Sequence, residues 1–212
     1  MSMFHRQGPR TQVLVSFLRR RARTTPARRK VLDRAERPRL FSRSAVVFTD
    51  TADFTTRTAR DGILHFLMLF ERLVEGTGPA LARSGGTLVK VEGDSLLLRF
   101  ADVASACRGV VALEAHLRSL NRGKPANERL HFSYGVGFGE ILDIEGDLFG
   151  LEVNLASKLG EDLARPGEVL LTPAAVAALD AKAARRLAPY KIVRFGRQPI
   201  PVQRFRLPRA TR

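Results

Sequence analysis

Two aspartates, Asp50 and Asp94, stand where metal chemistry is possible. Asp50 ends "SAVVFTD", a short β-branched apolar run that reads as a buried strand. Asp94 lies at the Gly93-Asp94 junction between "TLVKVE" and "SLLLRF", two strand-like runs whose spacing signals a hairpin. If that hairpin lies beside the first strand, the carboxylates face each other. Two carboxylates so close repel unless a cation sits between them, and oxygen-only ligands suit Mg²⁺ or Mn²⁺. Each aspartate also has an ordinary use, Asp50 as a cap for the following turn and Asp94 as turn chemistry.

After Asp50, "TADFT" (Thr51, Ala52, Asp53, Phe54, Thr55) leads into a helix. Free backbone N–H groups and a positive dipole end there would favour a phosphate chain beside the proposed metals. A carboxylate pair holding two cations next to an amide-lined turn is what phosphoryl or nucleotidyl transfer requires. Lys90 and Glu92 share one face of the hairpin strand with Asp94. Glu92 there has three uses open to it: holding Lys90, adding negative charge near the metals, or serving as a plain surface residue.

These groups need elements to position them. Ile63, Phe66, Leu67, Phe70, Leu73 and Val74 recur at helical spacing over 63–83, and Gly85-Gly86 stops that helix. Asp102 N-caps a second amphipathic helix through Leu120, and Leu130, Phe132, Tyr134, Val136 and Phe138 alternate as a strand. "EVNLASKLGEDL" reads as a short helix, "EVLLT" as a strand, Thr172-Pro173 as a helix start and "VQRFRL" as an edge strand. The order strand, helix, hairpin, helix, strand describes an α+β ferredoxin-like sandwich, with helices on one face of a mainly antiparallel sheet.

At 212 residues and 44% hydrophobic, the chain suits one domain plus a tail. Residues 1–43 hold 13 Lys/Arg against Asp33 and Glu36, a net of +11, so only +4 of the formal +15 belongs to the rest. The expected division is a basic, partly mobile arm at 1–43, with room for one short helix near 11–22 between its prolines, and a domain at 44–208. An anionic partner for the arm, a membrane surface or nucleic acid, fits this charge. The single cysteine, Cys107, excludes an intramolecular disulfide framework and fits a reducing compartment. No segment has the apolar length of a membrane span, so a soluble, cytoplasmic protein is expected.

Three stretches, "VVFTDTADFT", "KVEGDSLLLRF" and "DLFGLEVNLASKL", together resemble the catalytic domain of class III nucleotidyl cyclases, in the adenylate cyclase branch, from about Ala45 to Leu207. The resemblance implies that fold and conversion of ATP to 3′,5′-cyclic AMP and pyrophosphate. It implies two Mg²⁺ or Mn²⁺ ions per site on Asp50 and Asp94, adenine selection by Lys90 and Asp147, ribose orientation by Asn154 and transition-state stabilisation by Lys158. It further implies a homodimer, with one subunit giving the metal aspartates and the other the base-reading pair and the Asn154 helix.

The chain departs from that pattern in places. The family usually has arginine at the position of Lys158; lysine keeps the charge but loses the planar fork, and it could instead pair with Glu161 or Asp162 along the helix. Asp53 replaces a small residue and is expected to serve the turn or cap. The family's C-terminal triphosphate lysine has no clean match, Gly196 taking its place with Arg194 and Arg197 nearby. Two rival readings follow: a degenerate homologue that binds nucleotide or a partner without turnover, and a nucleic-acid binder acting through the basic arm.

Overall fold

A computed structural model describes residues 8–208, so residues 1–7 of the expected basic arm lie outside the described residues. Two helices open the described residues, α1 (Pro9–Ala22) and α2 (Pro26–Leu40), where the sequence suggested one. Pro9 and Pro26 start these helices instead of interrupting one, because the first helical residue needs no N–H. Pro38 sits inside the last turn of α2. Arg21 pairs with Asp33 at 2.6 Å and ties the two helices together, while Arg37 pairs with Glu140 and ties α2 to the sheet.

The chain then enters β1 (Phe41–Thr51), which begins three residues before the expected Ser44. It continues through α3 (Phe54–Asp61), α4 (Ile63–Ala82), the hairpin β2 (Thr87–Glu92) and β3 (Ser95–Phe100), and α5 (Val103–Leu120). β4 (Phe132–Asp143), the short β5 (Leu148–Phe149), α6 (Leu151–Lys158), β6 (Val169–Leu171), α7 (Pro173–Ala177), α8 (Ala181–Ala184), β7 (Leu187–Phe195) and β8 (Gln198–Phe205) follow. The strands form a mostly antiparallel sheet in the order β2-β3-β1-β4-β6-β8-β7, with β5 pairing the end of β4; only β4 and β6 run parallel. β8 is therefore an interior strand and not the expected edge. The edge at that end is β7, whose hairpin with β8 turns at Gly196-Arg197.

Alternation along β1 sends side chains to two hydrophobic layers. Ala45 and Val47 join Phe66, Phe70 and Leu73 of α4 and Val110 and Leu113 of α5 in the main core. Each fully buried leucine there contributes roughly 1.5–3 kcal/mol of transfer free energy. Val46 and Phe48 point the other way, into a second cluster with Val153 and Ala156 of α6. Helices thus flank both faces of the sheet, a correction to the one-face expectation. Three glycines of "YGVGFG" make room for α6: a Cβ on Gly135 would lie 1.8 Å from the Ala156 carbonyl oxygen, and one on Gly137 2.4 Å from that of Glu152. Among the described residues, no helix is long and apolar enough to cross a membrane.

Candidate active site

The hairpin does lie beside the first strand. β3 pairs β1 with Phe48 opposite Leu97, and past that register Thr49 Oγ1 accepts the Leu96 N–H at 3.0 Å. Two residues on, Thr51 Oγ1 donates to the Asp94 carbonyl oxygen at 2.7 Å, and the Asp94 carboxylate accepts the Thr51 amide. Asp50, which pairs with Ser133 across to β4, accepts a hydrogen bond from the Ser95 side chain. Strand pairing therefore brings together two carboxylates 44 positions apart in the chain.

Their electrostatics follow from that closeness. Burial first, and then the charge of Asp94, push the Asp50 carboxyl up from an ordinary 3.8 to about 6. Asp94 is raised as well, by burial, against the opposing pull of backbone hydrogen bonds. Glu161 and Asp162 raise Asp50 further. They lie on a π-helical turn, Leu159–Leu163, that continues α6 and rests on β1: a Cβ on Gly160 would come within 2.8 Å of the Phe48 carbonyl oxygen. No spacing in the sequence marks that turn as a neighbour of Asp50. A half-buried oxygen-only pair, its pKa values raised by burial and in Asp50 also by the charge of Asp94, fits a divalent cation, whose charge would offset both effects.

The turn after Asp50 is less open than expected. The Thr51 amide is used by Asp94 and the Ala52 amide donates to the His131 carbonyl at 2.9 Å, so neither is free for a phosphate. The N–H groups of Asp53, Phe54 and Thr55 have no backbone acceptor among the described residues, as befits the start of α3. Asp53 is the N-cap of that helix in left-handed backbone at φ 62°, without a side-chain capping hydrogen bond. Its position agrees with a turn residue.

Lys90, midway along β2, reaches across to the β4–β5 turn and lies 3.0 Å from Asp147. Glu92 holds the same ammonium at 2.8 Å. Burial works against the lysine's charge, but the hydrogen bonds it donates to Glu92 and Asp147 outweigh it and its pKa is raised. Asp147 is fixed in turn by a tight turn in which Ile144 and Asp147 exchange backbone hydrogen bonds at 2.9 and 3.0 Å. Asn154, on the exposed side of α6, has no side-chain hydrogen bond among the described residues. Lys158, one helical turn further on, is engaged by Asp162 at 2.8 Å, one of the two partners considered from the sequence. Arg194 and Arg197 fall at the β7–β8 hairpin tip, on the strand pair separated from β1 by β4 and β6.

Comparisons with known proteins agree with this architecture. No family model matches the chain. An adenylate cyclase of Streptomyces coelicolor is 29% identical over 151 residues, 71% of this chain and 38% of that protein. A relative from Rhizobium meliloti is 29% identical over 129 residues, 61% of this chain and 22% of that protein. The chain thus spans well under half the length of these curated relatives. Among solved structures, an adenylate/guanylate cyclase/hydrolase from Silicibacter pomeroyi aligns with TM-score 0.66 at 25% identity, over 80% of this chain and 98% of that one. The adenylyl cyclase CyaB from P. aeruginosa aligns with TM-score 0.65 at 20% identity, over 80% and 97%. The fold is that of class III adenylate/guanylate cyclase domains, and the sequence similarity falls on the adenylate cyclase branch.

Proposed function

We propose that this chain is an adenylate cyclase, converting ATP to 3′,5′-cyclic AMP and pyrophosphate at sites formed between two copies of itself. The observation that carries the reading is the Asp50–Asp94 pair at the end of β1, with the start of α3 beside it. The two carboxylates would hold Mg²⁺ or Mn²⁺, which when bound lowers the pKa of the ribose 3′-hydroxyl and offsets charge on the phosphates. In the reaction the 3′-oxygen bonds to the α-phosphorus as the bond from that phosphorus to the bridging oxygen breaks. Pyrophosphate leaves with the electron pair, and the hydroxyl proton passes to solvent. The amides of Asp53, Phe54 and Thr55 point to phosphate positioning, and the dipole of α3 acts in the same sense.

From the other subunit, Lys90 would donate to adenine N1 and Asp147 would accept from the exocyclic amine. Asn154, whose side-chain amide has no hydrogen bond among the described residues, would orient the ribose, and Lys158 would offset charge developing on the phosphates. The ion pair of Lys158 with Asp162 favours a slower enzyme over an inert one, because an exposed pair one helical turn apart is worth only about 0.3–0.5 kcal/mol and an incoming phosphate outbids it.

Incubation with ATP, GTP, CTP and UTP under Mn²⁺ or Mg²⁺, with cyclic product identified by mass, tests this reading. Cyclic AMP is the expected product, lost in Asp50→Asn and in Asp94→Asn. A wild-type protein that yields no cyclic nucleotide under either metal leaves the degenerate-homologue reading in its place.

A further inference from the structure

The base-reading pair has a third member. Lys90 Nζ lies between two carboxylates, 2.8 Å from Glu92 Oε2 and 3.0 Å from Asp147 Oδ1. An ammonium has three N–H donors, so one remains after these two contacts. Asp147 Oδ1 also accepts the Leu148 N–H at 2.9 Å, and Oδ2 accepts no hydrogen bond among the described residues. What is left over is one lysine donor beside one carboxylate oxygen. That pair, in that order, complements adenine, which offers an acceptor at N1 beside a donor at its amine.

We infer that Glu92 is a positioning residue that sets purine choice at this site, by holding Lys90 to one side of Asp147. The inference rests on the cyclase reading above. Lysine is a compact charge on a flexible four-carbon stem, so its head goes where the nearest carboxylates draw it. With Glu92 removed, Asp147 is the only acidic group among the described residues left paired with the ammonium. The ammonium then slides across both oxygens of that residue, occupying the acceptor that adenine's amine requires. Guanine presents its donor and acceptor in the reverse order along the same edge, so a lysine free to pass over Asp147 loses the geometry that rejects it.

Glu92 has the placement for this task. It is two residues after Lys90 on β2, hence on the same strand face, and it closes the hairpin opposite Ser95. Its side chain is 65% exposed, against 27% for Lys90. An ion pair so open to water adds little to folding stability, which separates its effect on the ligand from any effect on the fold.

The test compares wild type with Glu92→Ile and Glu92→Gln, reading KM and kcat for ATP and GTP under Mn²⁺ and the thermal midpoint of each variant. Glu92→Ile is expected to raise KM for ATP about tenfold and to narrow the ATP-over-GTP preference by a similar factor, with kcat within about twofold of wild type, the size of one lost charge-assisted hydrogen bond. Glu92→Gln, which keeps an acceptor without the charge, is expected to fall between. An unchanged thermal midpoint accompanies both. Wild-type KM and preference in Glu92→Ile, or an equal loss toward both nucleotides, overturns the role of Glu92 while leaving the cyclase reading in place. Should the wild type turn over neither nucleotide, equilibrium binding of ATP and GTP with Mn²⁺ supplies the same comparison, with the same tenfold ATP-selective weakening expected in Glu92→Ile. A wild type that binds neither nucleotide overturns the site reading itself and the role of Glu92 with it.

Discussion

At the scale of single residues, Asp50 is where sequence, packing and chemistry meet. Its carboxyl, at about 6, ionises less readily in the folded chain than an ordinary aspartate at 3.8, because burial and Asp94 both oppose its charge. The folded state therefore holds that proton more tightly than the unfolded state. The resulting stability is present below the unfolded pKa and is lost as pH rises through about 6. In metal-free buffer, Asp50→Asn removes the charge without changing the shape, so it is expected to raise the thermal midpoint at pH 8 by on the order of a few °C. At pH 4 the gain disappears, because the native aspartate is then protonated as well. Adding Mn²⁺ reverses the ranking at pH 8, since only the wild type keeps both carboxylates for the ion. Thermal unfolding at the two pH values, with chelator and with Mn²⁺, checks this; an equal gain at both pH values would mean that charge is not what Asp50 contributes.

At the scale of elements, α6 shows how closely backbone must approach backbone for the site to exist. The helix carries Asn154 and Lys158 and lies on β4 where Gly135, Gly137 and Gly139 leave the strand bare. Gly135→Ala forces a methyl against the Ala156 carbonyl oxygen and the Gly160 amide, both backbone atoms that cannot rotate aside. Overpacking of this kind costs about 1–3 kcal/mol, and the displaced helix is expected to take turnover with it. Gly78→Ala in α4 meets nothing from the rest of the fold within 4 Å, but Pro79 follows it and disfavours a Cβ in helical backbone, so it is expected to cost some stability, though less than Gly135→Ala. Denaturant midpoints of the two variants should show the larger loss in Gly135→Ala. This contrast also marks what the sequence made legible. The α4 helix, the β2–β3 hairpin and the β4 strand announced themselves through apolar period and turn residues, and the Asp50–Asp94 pairing followed from placing that hairpin beside β1. The second helical face did not, since its signal was the alternation of glycines opposite the apolar residues of β4, an absence of side chains that no apolar period registers. The β7 edge was hidden by Pro189 and by charged residues that suit an exposed strand, and Pro199 and Pro201 interrupt the strand signal of β8 beside it. The π turn that brings Glu161 and Asp162 toward Asp50 has no local signature, and the amides of Thr51 and Ala52 found partners that only tertiary contact supplies.

At the scale of the whole molecule, the proposed site divides the chain into two contributions. Asp50 and Asp94 gather where β1 meets the β2–β3 hairpin, while Asn154 stands on the exposed side of α6 without a side-chain partner among the described residues. In the proposed two-fold homodimer each site would take the carboxylate pair from one copy and Asn154, the proposed ribose-orienting residue, from the other. Asp50→Asn and Asn154→Ala each inactivate both sites when every subunit carries the change. Mixed subunits behave differently, because a dimer of one Asp50→Asn chain and one Asn154→Ala chain places both lesions in one site and leaves the second intact. Random pairing of equal amounts makes half of the dimers mixed, each with one working site of two, so the mixture is expected to recover about a quarter of wild-type cyclic AMP formation. Co-expression with two affinity tags, followed by assay of the doubly tagged dimers, reads this directly, with about half of wild-type activity expected in that fraction. Doubly tagged dimers that stay as inactive as either parent would mean that each chain supplies a whole site by itself, and the division of labour proposed between the two copies would fail.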